Sequence, residues 1–188
     1  MLNAKKLTTE ETLQTITLKA PYLLFIGSET EPIYAKTAAG LAHWVPEKCM
    51  GQLSLPGGTI DLGLPKHDVV SAAKAGAKSL VIGTSAVGGA IPAAWMPTLI
   101  QALESGLDIV AGVHTKLNEM PELVAAAKES GASLVDVRVP PKDIPVGTGL
   151  KRTGKRLLTV GTDCALGKKY TALAIARAMQ ERGIDADF

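Results

Sequence analysis

The stretch Gly161-Thr162-Asp163-Cys164-Ala165-Leu166-Gly167-Lys168-Lys169-Tyr170-Thr171 sits between two apolar runs, Arg156 to Val160 and Tyr170 to Met179. A strand, a glycine loop ending in Gly-Lys, and a helix make the layout of a phosphate-binding P-loop. Backbone N–H groups at the helix start attract an anion, and Lys168 adds a point charge. The candidate anion-binding residues are Gly161, Thr162, Asp163, Cys164, Ala165, Gly167, Lys168 and Lys169. Lys169 stands where the common motif has the Ser or Thr that holds Mg²⁺, and five residues rather than four separate the glycines. The loop therefore fits a nucleotide or an anion held without Mg²⁺, such as the phosphates of coenzyme A. A glycine turn with a chance lysine is the plain alternative. Cys164, beside two lysines and a helix start, has the setting that activates a thiol; a small residue chosen for packing fits the position as well.

Other candidates lie where strands end. Gly83 to Pro92 is a second glycine loop between a strand and a helix, and Gly88 and Gly89 offer backbone N–H groups there. It lacks the Gly-x-Gly-x-x-Gly spacing of a dinucleotide site, and a tight strand-to-helix turn explains it equally. Lys36 opens the helix after the first strand and is either a ligand contact or part of a solvated face. His114 follows the third clear strand, where a neutral imidazole could serve as a base; a structural histidine is the other reading. Arg138 ends the last strand of that half and suits a forked grip on a carboxylate, or an ion pair with Asp136. We expect no metal site, because no ligand spacing is visible.

These residues need a scaffold that brings strand ends together. Strands are expected at 21–27, 50–55, 79–83, 108–112 and 133–138, and helices at 32–44, 65–75, 91–104 and 121–130, the last with Asn118 as a candidate cap. Continuously apolar strands alternating with helices predict an α/β fold with a mainly parallel sheet covered on both faces. Residues 1–138 form this Rossmann-like domain. Residues 139–155, with Pro140, Pro141, Pro145, Gly147 and Gly149, read as a linker. Residues 156–188 read as the start of a P-loop domain: a strand at 156–160, the loop and a helix. One strand and one helix cannot complete such a domain, so we expect the chain to be the N-terminal part of a longer protein.

Composition narrows the function classes. Hydrophobic residues make up 46% and charged residues 20% of the 188, enough for a packed core. A net charge of +2 argues against a nucleic acid or a membrane surface as partner. No apolar run is long enough to span a bilayer. Two cysteines without metal spacing fit a reduced cytoplasmic setting. A homo-oligomer acting on a small molecule is expected.

Several stretches together resemble a bacterial and archaeal family described as a domain of unknown function. They are Ala35-Lys36-Thr37-Ala38-x-Gly40, Ile82-Gly83 through Gly88-Gly89-x-Ile91-Pro92, Gly106-Leu107-Asp108-Ile109-Val110-x-Gly112-x-His114, Asp136-Val137-Arg138, and Gly161 to Lys168. Members pair a Rossmann-like half with a P-loop half, and the match is to the DgcN-type D-glutamate N-acetyltransferases. After Gly-Lys the family pattern has Met-Thr-Thr, where this chain has Lys169-Tyr170-Thr171. The resemblance implies acetyl transfer from acetyl-CoA to the amine of D-glutamate. In that reading the P-loop holds coenzyme A phosphates and Lys36 and Arg138 hold carboxylates. His114 takes the amine proton, and the N–H groups of Gly88 and Gly89 face the developing oxyanion. The Gly-Thr-Asp opening also looks like dethiobiotin synthetase, which gives the alternatives: an ATP- and Mg²⁺-dependent kinase or ligase, or a nucleotide-binding regulatory module.

Overall fold

The computed structural model describes residues 16–84, 89–139, 149–150, 153–162 and 166–188. The chain divides into two compact units, Met1–Lys142 and Asp143–Phe188.

The first unit is built on one sheet. Its strands are β1 (Tyr22–Gly27), β2 (Cys49–Ser54), β3 (Ser79–Ile82), β4 (Asp108–Ala111) and β5 (Leu134–Asp136). The helices are α1 (Lys36–Trp44), α2 (Val69–Lys74), α3 (Met96–Glu104) and α4 (Pro121–Ser130). The strand order is β2-β1-β3-β4-β5, and every neighbouring pair is parallel. This is the flavodoxin-like doubly wound order, in which the chain reverses direction across the sheet between β1 and β3.

Register explains the two cores. Leu23, Leu80, Ile109 and Leu134 lie opposite one another across four strands, and so do Leu24, Val81, Val110 and Val135. Successive residues of a strand face opposite ways, so each row belongs to one face. The first packs with Val69, Leu99, Leu103 and Leu123 of α2, α3 and α4. The second packs with Ala35 and Ala38 at the start of α1 and with Leu62 and Leu64 of the loop after β2. Both faces are covered, which is why the strands are apolar throughout rather than alternating.

Three helices begin differently from expectation. The helix expected at 65–75 starts only at Val69. Before it, Pro65 and His67 bond to Gln52 at 2.8 and 3.0 Å and lie along the edge of β2. Asp68 then caps α2 by accepting from the Ser71 N–H at 2.6 Å, and Ser71 Oγ accepts from the Asp68 N–H in return. Helices 32–44 and 91–104 each begin with a short 3-10 turn, Pro32–Ala35 and Ala93–Trp95. Asn118 is not the cap of α4. The cap is Met120, which provides no side-chain bond.

In the second unit α5 (Lys168–Gln180) forms from the expected helical run. Residues 156–160, expected as a strand, have no ladder partner among the described residues. A strand needs a neighbour for its backbone groups, and β-branched or leucine-rich sequence alone does not supply one.

Candidate active site

The parallel sheet aims all its carboxyl ends at one edge, and the crevice there is where such folds bind ligands. A cavity of ≈ 190 Å³ opens at this edge, lined by Thr37, Ile82, Thr84, Gly89, Gly112, Val113, His114 and Arg138.

His114 and Arg138 meet in the cavity. Val137, just past β5, donates its N–H to the Ala111 carbonyl at 2.9 Å and carries the pairing of β4 and β5 one residue further. That places Arg138 beside the loop after β4, and its Nη1 lies 3.3 Å from His114 Nε2. Arginine has no acceptor, so a hydrogen bond between the two requires Nε2 to accept. The alternative partner for Arg138, Asp136, is engaged elsewhere. Its carboxylate accepts from the Leu117 N–H at 2.8 Å and from Asn118 Nδ2 at 2.8 Å. Asp136 thus fixes the far end of the loop that carries His114.

Gly89 fixes the near end. Its carbonyl accepts from the N–H of His114 at 2.9 Å and of Thr115 at 3.2 Å. Gly89 has φ +71°, and a Cβ there would collide with the His114 ring. Both the backbone conformation and the close approach therefore require glycine. Gly88 lies outside the described residues.

The start of α1 is pressed against β3. The Ala38 N–H donates to the Gly83 carbonyl at 2.9 Å, and a Cβ at Gly83 would collide with Ala38. Thr37 reaches the cavity through this contact. Lys36, the first residue of α1, is exposed and is not among the cavity-lining residues. Thr84 follows Gly83 directly. It is 4% exposed, and its Oγ1 is buried with no hydrogen-bond partner among the described residues. Such an orphan costs about 1–3 kcal/mol unless a partner arrives. Sequence reasoning assigned no role to Thr37 or Thr84, although each adjoins a residue that it singled out. The available signal was a hydroxyl immediately after a strand-ending glycine.

In the second unit the P-loop residues Gly161, Thr162, Gly167, Lys168 and Lys169 are described, whereas Asp163, Cys164 and Ala165 lie outside the described residues. The Lys168 stem folds back toward Gly161: a Cβ there would lie 3.3 Å from Lys168 Cδ. Thr159 Oγ1 donates to the Lys168 carbonyl at 2.9 Å and ties the segment before the loop to the helix start. Lys169 Nζ sits 5.1 Å from the centre of the Tyr170 ring, a cation–π contact. Thr171 Oγ1 donates to the Gly167 carbonyl at 3.1 Å. Among the described residues no group of three or more His, Cys, Asp or Glu could hold a metal ion. Nor is any helix there long and apolar enough to cross a membrane.

Two family models match in tandem. Residues 54–140 match the Rossmann-like domain of DUF1611, a domain of unknown function, and residues 145–188 match its P-loop domain. The chain belongs to the DUF1611 family. A D-glutamate N-acetyltransferase from a Pseudoalteromonas species is 46% identical over 171 residues, covering 91% of this chain and 52% of that protein. One from Tritonibacter scottomollicae is 47% identical over 171 residues, covering 91% and 51%. The chain thus spans about half the length of the curated relatives it matches. A DUF1611 crystal structure from Anabaena variabilis superposes with a TM-score of 0.73 at 30% identity, covering 88% of this chain and 51% of that one. The tandem family match accords with the expected Rossmann-like and P-loop halves.

Proposed function

We propose that this chain belongs to an N-acetyltransferase that moves the acetyl group of acetyl-CoA onto the amino group of D-glutamate. One observation carries the reading: two D-glutamate N-acetyltransferases share almost half of their aligned residues with 91% of this chain. The cavity supports it with the chemistry an amino-acid acceptor needs, a forked cation beside an imidazole. Arg138 grips the α-carboxylate and so swings off Nε2. His114 Nε2 then takes a proton from the ammonium group, and the amine attacks the thioester carbonyl carbon. A C–N bond forms, the C–S bond breaks, and coenzyme A leaves as a thiolate that takes up the second proton shed by the nitrogen, while the first stays on His114 until released to solvent.

Lys168 and the loop around Gly161 are the group we assign to the coenzyme A phosphates. The Lys168 stem over Gly161 fits an anion cradle, and Lys169 against Tyr170 does not fit a Mg²⁺ ligand. A cytoplasmic setting and self-association belong to the same reading, and light scattering on the purified protein tests the second. For the activity, the full-length protein is given D-glutamate with acetyl-CoA or with ATP and Mg²⁺. Free thiol and N-acetyl-D-glutamate are the expected products; ADP instead would sink the acetyltransferase reading in favour of a P-loop kinase or ligase.

A further inference from the structure

We infer that Thr84 recognises the side-chain carboxylate of the acceptor amino acid, with the first turn of α1 behind it; this rests on the cavity being the amino-acid site. Arg138 and His114 line the same part of the cavity, so a carboxylate gripped by Arg138 stays on the side of the base even when the guanidinium has left Nε2. The carboxylate nearest the reacting amine is the α-carboxylate. An acidic acceptor brings a second carboxylate, which accepts hydrogen bonds and donates none. Once His114 and Arg138 are assigned, the side-chain donors left among the described lining residues are the hydroxyls of Thr37 and Thr84.

Thr84 is the better placed of the two. Its Oγ1 is buried at the cavity wall without a partner among the described residues, so an incoming acceptor satisfies a group they leave unpaired. The bond from the Ala38 N–H to the Gly83 carbonyl sets the N-terminus of α1 next to it. A helix N-terminus favours an anion, and Thr37 in that turn lines the same cavity. The Thr84 donor and the α1 dipole together select a negative side chain.

Calorimetry on the full-length protein tests this with D-glutamate and with D-norvaline, which carries a methyl group in place of the side-chain carboxylate. The wild type should bind D-glutamate at least about tenfold more tightly, the scale of one hydrogen bond to a charged group. Thr84→Val should erase that preference by weakening D-glutamate alone, Thr84→Ser should restore it, and Thr84→Ala should match Thr84→Val. Because valine removes an unsatisfied hydroxyl, Tm should hold or rise. A wild type without the preference, or a Thr84→Val that weakens both ligands equally or neither, overturns the inference. A Thr84-dependent preference in a protein that releases no thiol from acetyl-CoA would leave the inference standing and refute the acetyltransferase reading.

Discussion

His114 cannot take a proton at Nε2 while Arg138 donates to that atom. The proposed mechanism therefore requires the substrate carboxylate to draw the guanidinium away, which would couple base release to acceptor binding. Two substitutions separate the roles. His114→Ala should lower kcat by roughly 10²–10⁴-fold with little change in KM for D-glutamate. Arg138→Lys keeps the charge but loses the fork, and should raise KM for D-glutamate roughly ten- to a hundredfold. Steady-state kinetics in the full-length protein read both, and an unchanged kcat in His114→Ala would remove histidine from the chemistry. Gly89→Ala tests the same site through the backbone. It forces φ +71° on a residue with a Cβ and pushes that Cβ into the imidazole. We expect about 1–3 kcal/mol lost in denaturant unfolding, with activity falling as far as in His114→Ala. The sequence marked His114 and Arg138 because each stands at the end of a strand, and Gly89 because it lies in a glycine loop between a strand and a helix. It could not join them, since Arg138 and His114 are neighbours only through the pairing of β4 with β5. The nearer partner in sequence, Asp136, is taken by Leu117 and Asn118.

At the scale of elements, local chemistry decided where helices start. Pro65 to His67 have a helix-compatible pattern, but their backbone groups complete the edge of β2, and a residue cannot serve helix and edge at once. Asp68 marks the true start, and an acidic residue three before Ser71 was visible in the sequence. The cap also titrates. The Ser71 N–H, then its hydroxyl, hold the Asp68 carboxyl below its usual value. A depressed carboxylate contributes its stability above the unfolded pKa, near 4, and loses it as pH falls through the folded value. Asp68→Asn keeps an oxygen acceptor but has no proton to gain. Melting curves should therefore show near-equal Tm at pH 7 and a shallower loss of Tm on acidification for Asp68→Asn than for wild type. Parallel acid profiles would remove Asp68 from the acid response.

Across the whole molecule, the parallel sheet and its helices were legible because apolar runs alternate with helical ones. The order of the strands was not. A run such as Ser79 to Ile82 carries no mark of whether its neighbours will be β1 and β4, which the crossovers decide over long separations. The second unit shows the opposite case, a local pattern without its tertiary setting. Leu157, Leu158 and Val160 are 62%, 82% and 79% exposed, and Ala176 is the one apolar residue of α5 that is buried. The two apolar clusters found among the described residues both lie in the first unit. Because helical stability comes mostly from packing an apolar face, protection should differ sharply between the units. Hydrogen exchange on the 188-residue chain should show the amides of β1, β3 and β4 opening only with global unfolding. Those of α5 should exchange at least about a hundredfold faster, the difference between global and sub-global opening. Equal protection in β3 and α5 would mean that the two units unfold as one, and that the exposed run at 157–160 finds a partner in solution.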